Sequence, residues 1–314
     1  MGEVVADVYR ERSTSSVELP FTARPGGAPA NVAVAAARLG VESAFVGRVG
    51  DDLFGDFLLE ALRASGVDTS AILRESPPTR TTLAFVEVSE DGEREFTFYR
   101  SFPAADELLA PADIRSGTLS GASFANFGSI PLIKEPARSA TRRFAELANE
   151  MDVAVAFDVN LRADLWASLD AFREAVDPML DLSAVIKLNE DELSPVLATD
   201  DPGEAADRLL HRGASLVLVS LGAQGAFYAA QAFRGEAPSF PLEQVVDATG
   251  AGDAFLAGTL AHLSESPGWP DDDAAVREAV RRGNAAGAMA CAKFGAMQGL
   301  PTRDQLERFM AVRS

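Results

Sequence analysis

Residues 247–258 read Asp-Ala-Thr-Gly-Ala-Gly-Asp-Ala-Phe-Leu-Ala-Gly, a glycine-rich turn that ends in a carboxylate and runs into a helical apolar pattern. Gly250 and Gly252 have no side chain, so backbone N–H groups there can face a ligand at close range. The first turn of the following helix adds unpaired donors and the positive end of its dipole. Phosphate is the ligand that such a cradle suits. A carboxylate is a poor phosphate ligand, so Asp253 points to another task, taking the proton of a hydroxyl that is to be phosphorylated. The same residues also fit a plain strand-to-helix turn in which Asp253 is only an N-cap.

Other polar residues recur at the places where a ligand would meet an α/β protein. Arg24-Pro25-Gly26-Gly27-Ala28-Pro29-Ala30-Asn31 is a second glycine turn entering a helix, and it offers an amide that both donates and accepts, as sugar hydroxyls require. An ordinary Pro-Gly loop with Asn31 as helix cap fits it too. Phe157-Asp158-Val159-Asn160-Leu161-Arg162 puts polar side chains at the carboxyl end of an expected strand, with Asn160 and Arg162 as the contacts. Asn189-Glu190-Asp191-Glu192 follows another strand; a carboxylate there suits Mg²⁺ held through water, and equally suits a helix N-terminus stabilised by acids. Ser220-Leu221-Gly222-Ala223-Gln224-Gly225 follows a third and would let a nucleotide approach the backbone.

Short β-branched runs alternating with amphipathic patterns imply βα units around a mainly parallel sheet. Val153–Asp158, Ala184–Leu188 and Leu216–Ser220 read as buried strands. Asp51-Asp52 can cap a helix through Ala64 that Gly66 ends, and Asn31–Leu39 is an alanine-rich helix ending at Gly40. Thr81–Val88 and Arg94–Arg100 flank Glu90-Asp91-Gly92, a hairpin turn signal, so this hairpin should project from the parallel sheet. Val17–Thr22 is expected to pair with it in a small flap.

The 314 residues are 47% hydrophobic, enough for a large core in one main domain. With 47 acidic against 28 basic residues, a net charge of −19 and only Lys134, Lys187 and Lys293 as lysines, nucleic acid is excluded as a partner. Abundant acids with few lysines suggest a surface adapted to a salt-rich, halophilic cytoplasm. One cysteine, Cys291, forms no internal disulfide, and no zinc-type Cys/His spacing occurs. His211 and His262 are the only histidines, and both read as structural. No secretory leader or stretch of membrane-spanning length is seen, so a soluble cytoplasmic protein is expected.

Taken together and in this order, these segments resemble the PfkB, or ribokinase-like, carbohydrate kinase family over nearly the whole chain. Gly26–Asn31 with Gly47-Arg48-Val49-Gly50-Asp51-Asp52-Leu53-Phe54-Gly55 is similar to its amino-terminal signature and Asp247–Gly258 to its carboxy-terminal one. The resemblance implies a single ribokinase-like α/β domain over residues 1–314, with a β lid from residues 8–24 and 75–101. It implies an ATP-dependent sugar kinase with Asp253 as general base and Gly250, Ala251 and Gly252 as the anion hole. Asp7, Gly27, Asn31, Arg100, Asn160 and Arg162 match sugar contacts. Asn189, Ser220, Gly222, Gly225 and Asn284 match nucleotide positions, and Glu192 matches the residue that organises Mg²⁺. Backbone oxygens near Asp247, Thr249, Ala290 and Gly295 resemble a monovalent-cation site suited to K⁺.

Within the family the likeness leans to fructokinases, through Gly27–Asn31, Phe98-Tyr99-Arg100 with Ala105-Asp106, Asn160-Leu161-Arg162 with Trp166, and Gly295-Ala296-Met297 before Leu300-Pro301-Thr302. Kinases of 2-keto-3-deoxygluconate share the arginines, which could equally bind a carboxylate. A nucleoside kinase and a non-catalytic sugar-binding protein are further readings. The exposed edges of the flap would allow a homodimer. The family has an apolar strand ahead of Gly-Glu where Met1 here directly precedes Gly2, so a shortened sheet or a displaced chain start is expected.

Overall fold

The computed structural model describes residues 1–11, 17–88 and 94–313. Two antiparallel strands, β1 (Val5–Arg10) and β2 (Phe21–Gly26), lead into helix α1 (Ala28–Arg38). Short strands β3 (Ser43–Ala44) and β4 (Gly47–Gly50) precede α2 (Leu53–Ala64), and β5 (Val67–Asp68) and β6 (Ile72–Glu75) follow it; β3 pairs with β5 and β4 with β6, both parallel. Asp52 caps α2 as its position suggested, accepting from Gly55 N at 2.9 Å. β7 (Leu83–Val88) and β8 (Arg94–Tyr99) form the expected antiparallel hairpin, whose Glu90-Asp91-Gly92 turn lies outside the described residues.

β7 also runs parallel to β1, giving a four-stranded sheet in the order β2-β1-β7-β8. Here the expectation for Val17–Thr22 is corrected. The strand begins at Phe21, and its partner is β1 rather than the hairpin. β1 escaped notice because Val5, Ala6, Asp7, Val8 and Tyr9 are all buried, and a strand covered on both faces loses the alternation that reveals it.

The second half builds the main sheet. β9 (Phe124–Gly128), β10 (Ala154–Asp158), β11 (Val185–Asn189) and β12 (Leu216–Ser220) are parallel; β13 (Ala226–Ala229) and β14 (Arg234–Ala237) continue it antiparallel in the order β14-β13-β12-β11-β10-β9. Helices α3 (Ala137–Glu150), α4 (Leu169–Asp181), α5 (Glu190–Leu197) and α6 (Pro202–His211) connect the parallel strands, and α7 (Ala251–Ser264), α8 (Asp273–Ala290) and α9 (Arg303–Ala311) close the chain.

Alternate strand residues fill two cores. Val155, Phe157, Ile186, Leu188, Val217 and Val219 pack with α3 to α6. Ala156, Val185, Leu216 and Leu218 face α1, α2, α7, α8 and α9, so the sheet is a middle layer between helices. Phe157 stacks on Phe127 at 4.9 Å, and truncating so deeply buried a ring costs about 3–5 kcal/mol. At the start of the chain, Met1 N donates to Asn126 O at 2.7 Å and Gly2 N to Val46 O at 3.0 Å. Residues 1–4 are buried beside β9 without forming a strand. Among the described residues no helix is long and apolar enough to cross a membrane.

Candidate active site

The site lies at the carboxyl edge of the parallel strands, where register sets Asp158 beside Lys187 and Gly128, and Asn189 beside Ser220. α7 begins there. Its N-cap is Gly250, at φ 80° in the left-handed region, where an added Cβ would also come within 2.8 Å of Ala296 O. Ala251 N donates to Ala248 O at 3.2 Å, and the helical ladder starts with Ala254 N donating to Gly250 O at 2.8 Å. The N–H groups of Gly252 and Asp253 precede that ladder and point outward at the positive end of the dipole.

Asp253 is therefore not the N-cap. Its Oδ2 accepts from Asn31 Nδ2 at 2.8 Å, across 222 residues of chain. Asn31 does not cap α1 either, because Gly27 holds that place and Asn31 sits in the first turn. The two glycine turns thus meet through one hydrogen bond, amide to carboxylate. Burial pushes Asp253 up to about 6 from an ordinary 3.8; nearby Asp158 adds to this, while Asn31, Lys187 and Arg162 restrain it.

Lys187 and Asp158 form a buried ion pair, Nζ lying 2.9 and 3.0 Å from the two carboxylate oxygens. A Cβ on Gly252 would sit 3.0 Å from the same Nζ, so this cation stands against the cradle. Burial works to lower the Lys187 ammonium, but Asp158, Glu192 and Asp253 outweigh it and hold its pKa above the usual value. Sequence reasoning passed over Lys187. The available signal was a lysine inside the apolar run Val185-Ile186-Lys187-Leu188, where a charge persists only when paired.

Asn189 and Glu192 form a reciprocal capping box: Asn189 Oδ1 accepts from Glu192 N at 3.1 Å, and Glu192 Oε2 from Asn189 N at 2.9 Å. Glu192 Oε1 takes Leu161 N at 2.7 Å, tying α5 to the loop after β10. Burial raises the Glu192 pKa, Lys187 opposes that, and Asp158 adds to it. In that loop Asn160 holds φ 42°, an unusual conformation for a residue with a side chain, and its carbonyl accepts from Ser129 Oγ at 3.2 Å. Arg162 Nη1 lies 3.3 Å from Leu161 O.

Beyond Asn189, Ser220 ends the neighbouring β12, and Gly222 and Gly225 form the following turn, Gly225 N donating to Gly222 O at 3.2 Å. Asn284 uses its amide on Ala237 O at 2.8 Å and Pro238 O at 3.2 Å, so it braces α8 against the end of β14. Asp247 laces two loops, Oδ1 accepting from Thr249 N at 2.6 Å and Oδ2 from Gly295 N at 2.7 Å. A Cβ on Gly299 would lie 2.2 Å from Ala290 O, which bounds the same region. Among the described residues no three His, Cys, Asp or Glu side chains gather as a metal cage.

Asp7 in β1 is buried against Gly26, where a Cβ would fall 2.1 Å from Oδ2, one residue before Gly27. Two residues of the four-stranded sheet meet the loop after α8: Tyr9 packs edge-on against Phe294 at 4.9 Å, and the Arg24 guanidinium lies 5.2 Å from the same ring. Arg100, at the end of β8, is ion-paired with Asp106 at 3.3 Å and Glu107 at 3.1 Å.

A helix whose first turn carries a buried carboxylate, at the edge of a sheet layered between helices, suits a phosphotransferase of the ribokinase-like fold. The profile of the pfkB family carbohydrate kinase matches residues 1–303, and the chain belongs to that family of ATP-dependent sugar kinases. Fructokinase-1 of Oryza sativa subsp. japonica is 41% identical over 312 residues, covering 98% of this chain and 96% of the rice protein. Among solved structures, a fructokinase from Vibrio cholerae O395 bound to fructose, ADP and calcium superposes with a TM-score of 0.88 at 35% identity, covering 98% of this chain and 96% of that one. An aminoimidazole riboside kinase from Salmonella enterica, complexed with aminoimidazole riboside and an ATP analog, gives 0.84 at 34% identity, covering 99% and 98%.

Proposed function

We propose that the chain is a fructokinase that transfers the γ-phosphoryl of MgATP to fructose, with Asp253 as the base. The contact between Asn31 and Asp253 carries this reading, because it holds a carboxylate with a raised pKa beside the open N–H groups of α7. Asp253 takes the proton of the attacking hydroxyl, the hydroxyl oxygen bonds to the γ-phosphorus, and the bond to the bridging oxygen breaks so that ADP leaves. Gly250 and Gly252 offer backbone donors to the transferring group, Ala251 N being turned to Ala248 O in this structure, and Lys187 adds a fixed positive charge. Asp7, Gly27, Asn31, Arg100, Asn160 and Arg162 line the sugar side. Asn189, Ser220, Gly222, Gly225 and Asn284 shape the nucleotide side.

The donor set suits a metal held chiefly by phosphates and water. Both Glu192 oxygens already accept backbone N–H groups yet keep lone pairs for a metal-bound water, as Mg²⁺ prefers. The metal would neutralise phosphate charge. Asp247, with backbone carbonyls near Thr249, Ala290 and Gly295, supplies the hard oxygen surroundings that suit K⁺. The four-stranded sheet acts as a lid on a single domain, anchored at Phe294 through Tyr9 and Arg24. On that sheet Phe21 meets Phe85 edge-on at 5.2 Å and Phe85 meets Tyr99 tilted at 4.7 Å, and Tyr99 is 61% exposed, an apolar face suited to a second copy. The −19 charge fits function in high salt.

The test is a panel of fructose, 2-keto-3-deoxygluconate, ribose, adenosine and aminoimidazole riboside with MgATP, from low to molar KCl. Fructose as the best substrate, with activity rising with KCl, is expected. Preference for another acceptor overturns the substrate, and absence of transfer to all five overturns the reading. Sedimentation of wild type and Tyr99→Glu checks the dimer.

A further inference from the structure

We propose that Asp106 and Glu107 make the sugar pocket selective for a neutral sugar over a sugar acid, by balancing the charge of Arg100 before any substrate arrives. This rests on the sugar-kinase reading of the site and names the substrate class that the site accepts. The Arg100 guanidinium lies between the two carboxylates, at 3.3 and 3.1 Å. Glu107 shares its Oε1 with Lys134 at 2.9 Å, and Thr82 Oγ1 donates to the other oxygen of Asp106, so both carboxylates are fixed. Their side chains are only 5% and 10% exposed, and Arg100 is 16% exposed.

These groups line one tight recess with Glu3, Ile130 and Pro131, its free volume about 10 Å³, the space of roughly one water or one hydroxyl. Glu3 is 3% exposed, and its Oε2 has no hydrogen-bond partner among the described residues; neither has Arg100 Nε, while Nη2 is the atom paired with Asp106. Buried polar atoms of opposite kinds thus face a shared space and await partners. Burial raises Glu3 to about 7, Asp106 adding to this and Arg100 opposing it, and Asp253 acts on it too, which joins the recess electrostatically to the base.

An arginine that grips a carboxylate must offer an unbalanced charge and two free N–H groups in one plane. Arg100 keeps only Nε without a partner, and its charge is balanced by Asp106 and Glu107. A carboxylate entering the recess meets Asp106 and Glu107 as like charges in a dry setting, where repulsion is strong. A hydroxyl suits the same atoms, accepting from Arg100 and donating to Glu3. In this chain Arg100 is committed by its neighbours.

The experiment measures binding of fructose and 2-keto-3-deoxygluconate by isothermal titration, alongside kcat and KM for each, in wild type, Glu107→Gln, Asp106→Asn and Lys134→Gln. Either carboxylate variant should shift the affinity ratio toward the acid by about tenfold or more, mainly through KM, because like-charge repulsion is removed. Lys134→Gln, on a half-exposed residue that folding tolerates, should shift it a few-fold the opposite way. An unmoved ratio, or equal loss for both sugars in variants that melt as wild type does, overturns the proposal. Should wild type bind fructose without phosphorylating it, the kinase reading fails while the affinity ratio still decides the charge argument.

Discussion

Replacing Asp253 by asparagine should make the protein more stable and almost inactive at once. The substitution keeps the shape of the side chain, and its amide oxygen can still accept from Asn31 Nδ2, 2.8 Å away in the parent. What it removes is a buried negative charge that the fold disfavours. The Asp253 pKa climbs from 3.8 to about 6, a difference of ~3 kcal/mol between the two protonation states. Because the folded value lies above the unfolded one, the stabilising contribution is complete below about pH 4 and is lost as pH rises through about 6. At pH 8 the parent bears the whole penalty and the variant bears none. Urea melts should therefore show the variant more stable by up to about 3 kcal/mol at pH 8, with the difference shrinking below pH 6. Turnover with MgATP and fructose, followed by a coupled ADP assay, should drop at least about a hundredfold, the scale of a lost general base. Retention of more than a tenth of wild-type turnover would refute the role of Asp253, and equal melts at pH 8 would refute the electrostatic account.

Three further outcomes follow from the same contacts. Asn31→Leu removes the hydrogen bond that restrains the Asp253 pKa, so the acid limb of kcat/KM, expected near pH 6 in the parent, should move to higher pH; a stationary limb would mean that the bond does not tune the base. Glu3 rises from 4.5 to about 7, so parent stability should fall as pH climbs through 7 by about 3 kcal/mol, and Glu3→Gln should flatten that fall in urea melts. Lys187→Met strands the buried Asp158 carboxylate and should destabilise by about 3–5 kcal/mol. At a temperature where the variant is folded, kcat should drop more than the KM for ATP rises, as loss of a charge aimed at the transferring group requires.

Much of the site was legible because its pieces are local. Gly250, Gly252 and Asp253 fall within one turn, and the capping box of Asn189 and Glu192 is written in two residues three apart. The parallel strands showed themselves as short apolar runs. What stayed hidden depends on partners distant in the chain. Asn31 read as a contact for sugar or as a cap, whereas its amide also orients Asp253, and nothing local announces a bond across 222 residues. Asn284 matched a nucleotide position, but its amide is spent on the carbonyls of Ala237 and Pro238. Lys187 was merely one of few lysines until the register of β10 and β11 set it against Asp158. The central strand β1 was missed because full burial erased its periodicity.

The bond between Asn31 and Asp253 has a bearing on biosynthesis. A ribosome delivers the amide early and the acid late, so a nascent polypeptide that has already shaped its amino-terminal half still lacks the proposed base and the backbone donors of α7. On the proposed mechanism, transfer needs α7 in place. Incomplete chains released by premature termination before α7 would thus be catalytically silent and would not drain the cell's nucleotide pool.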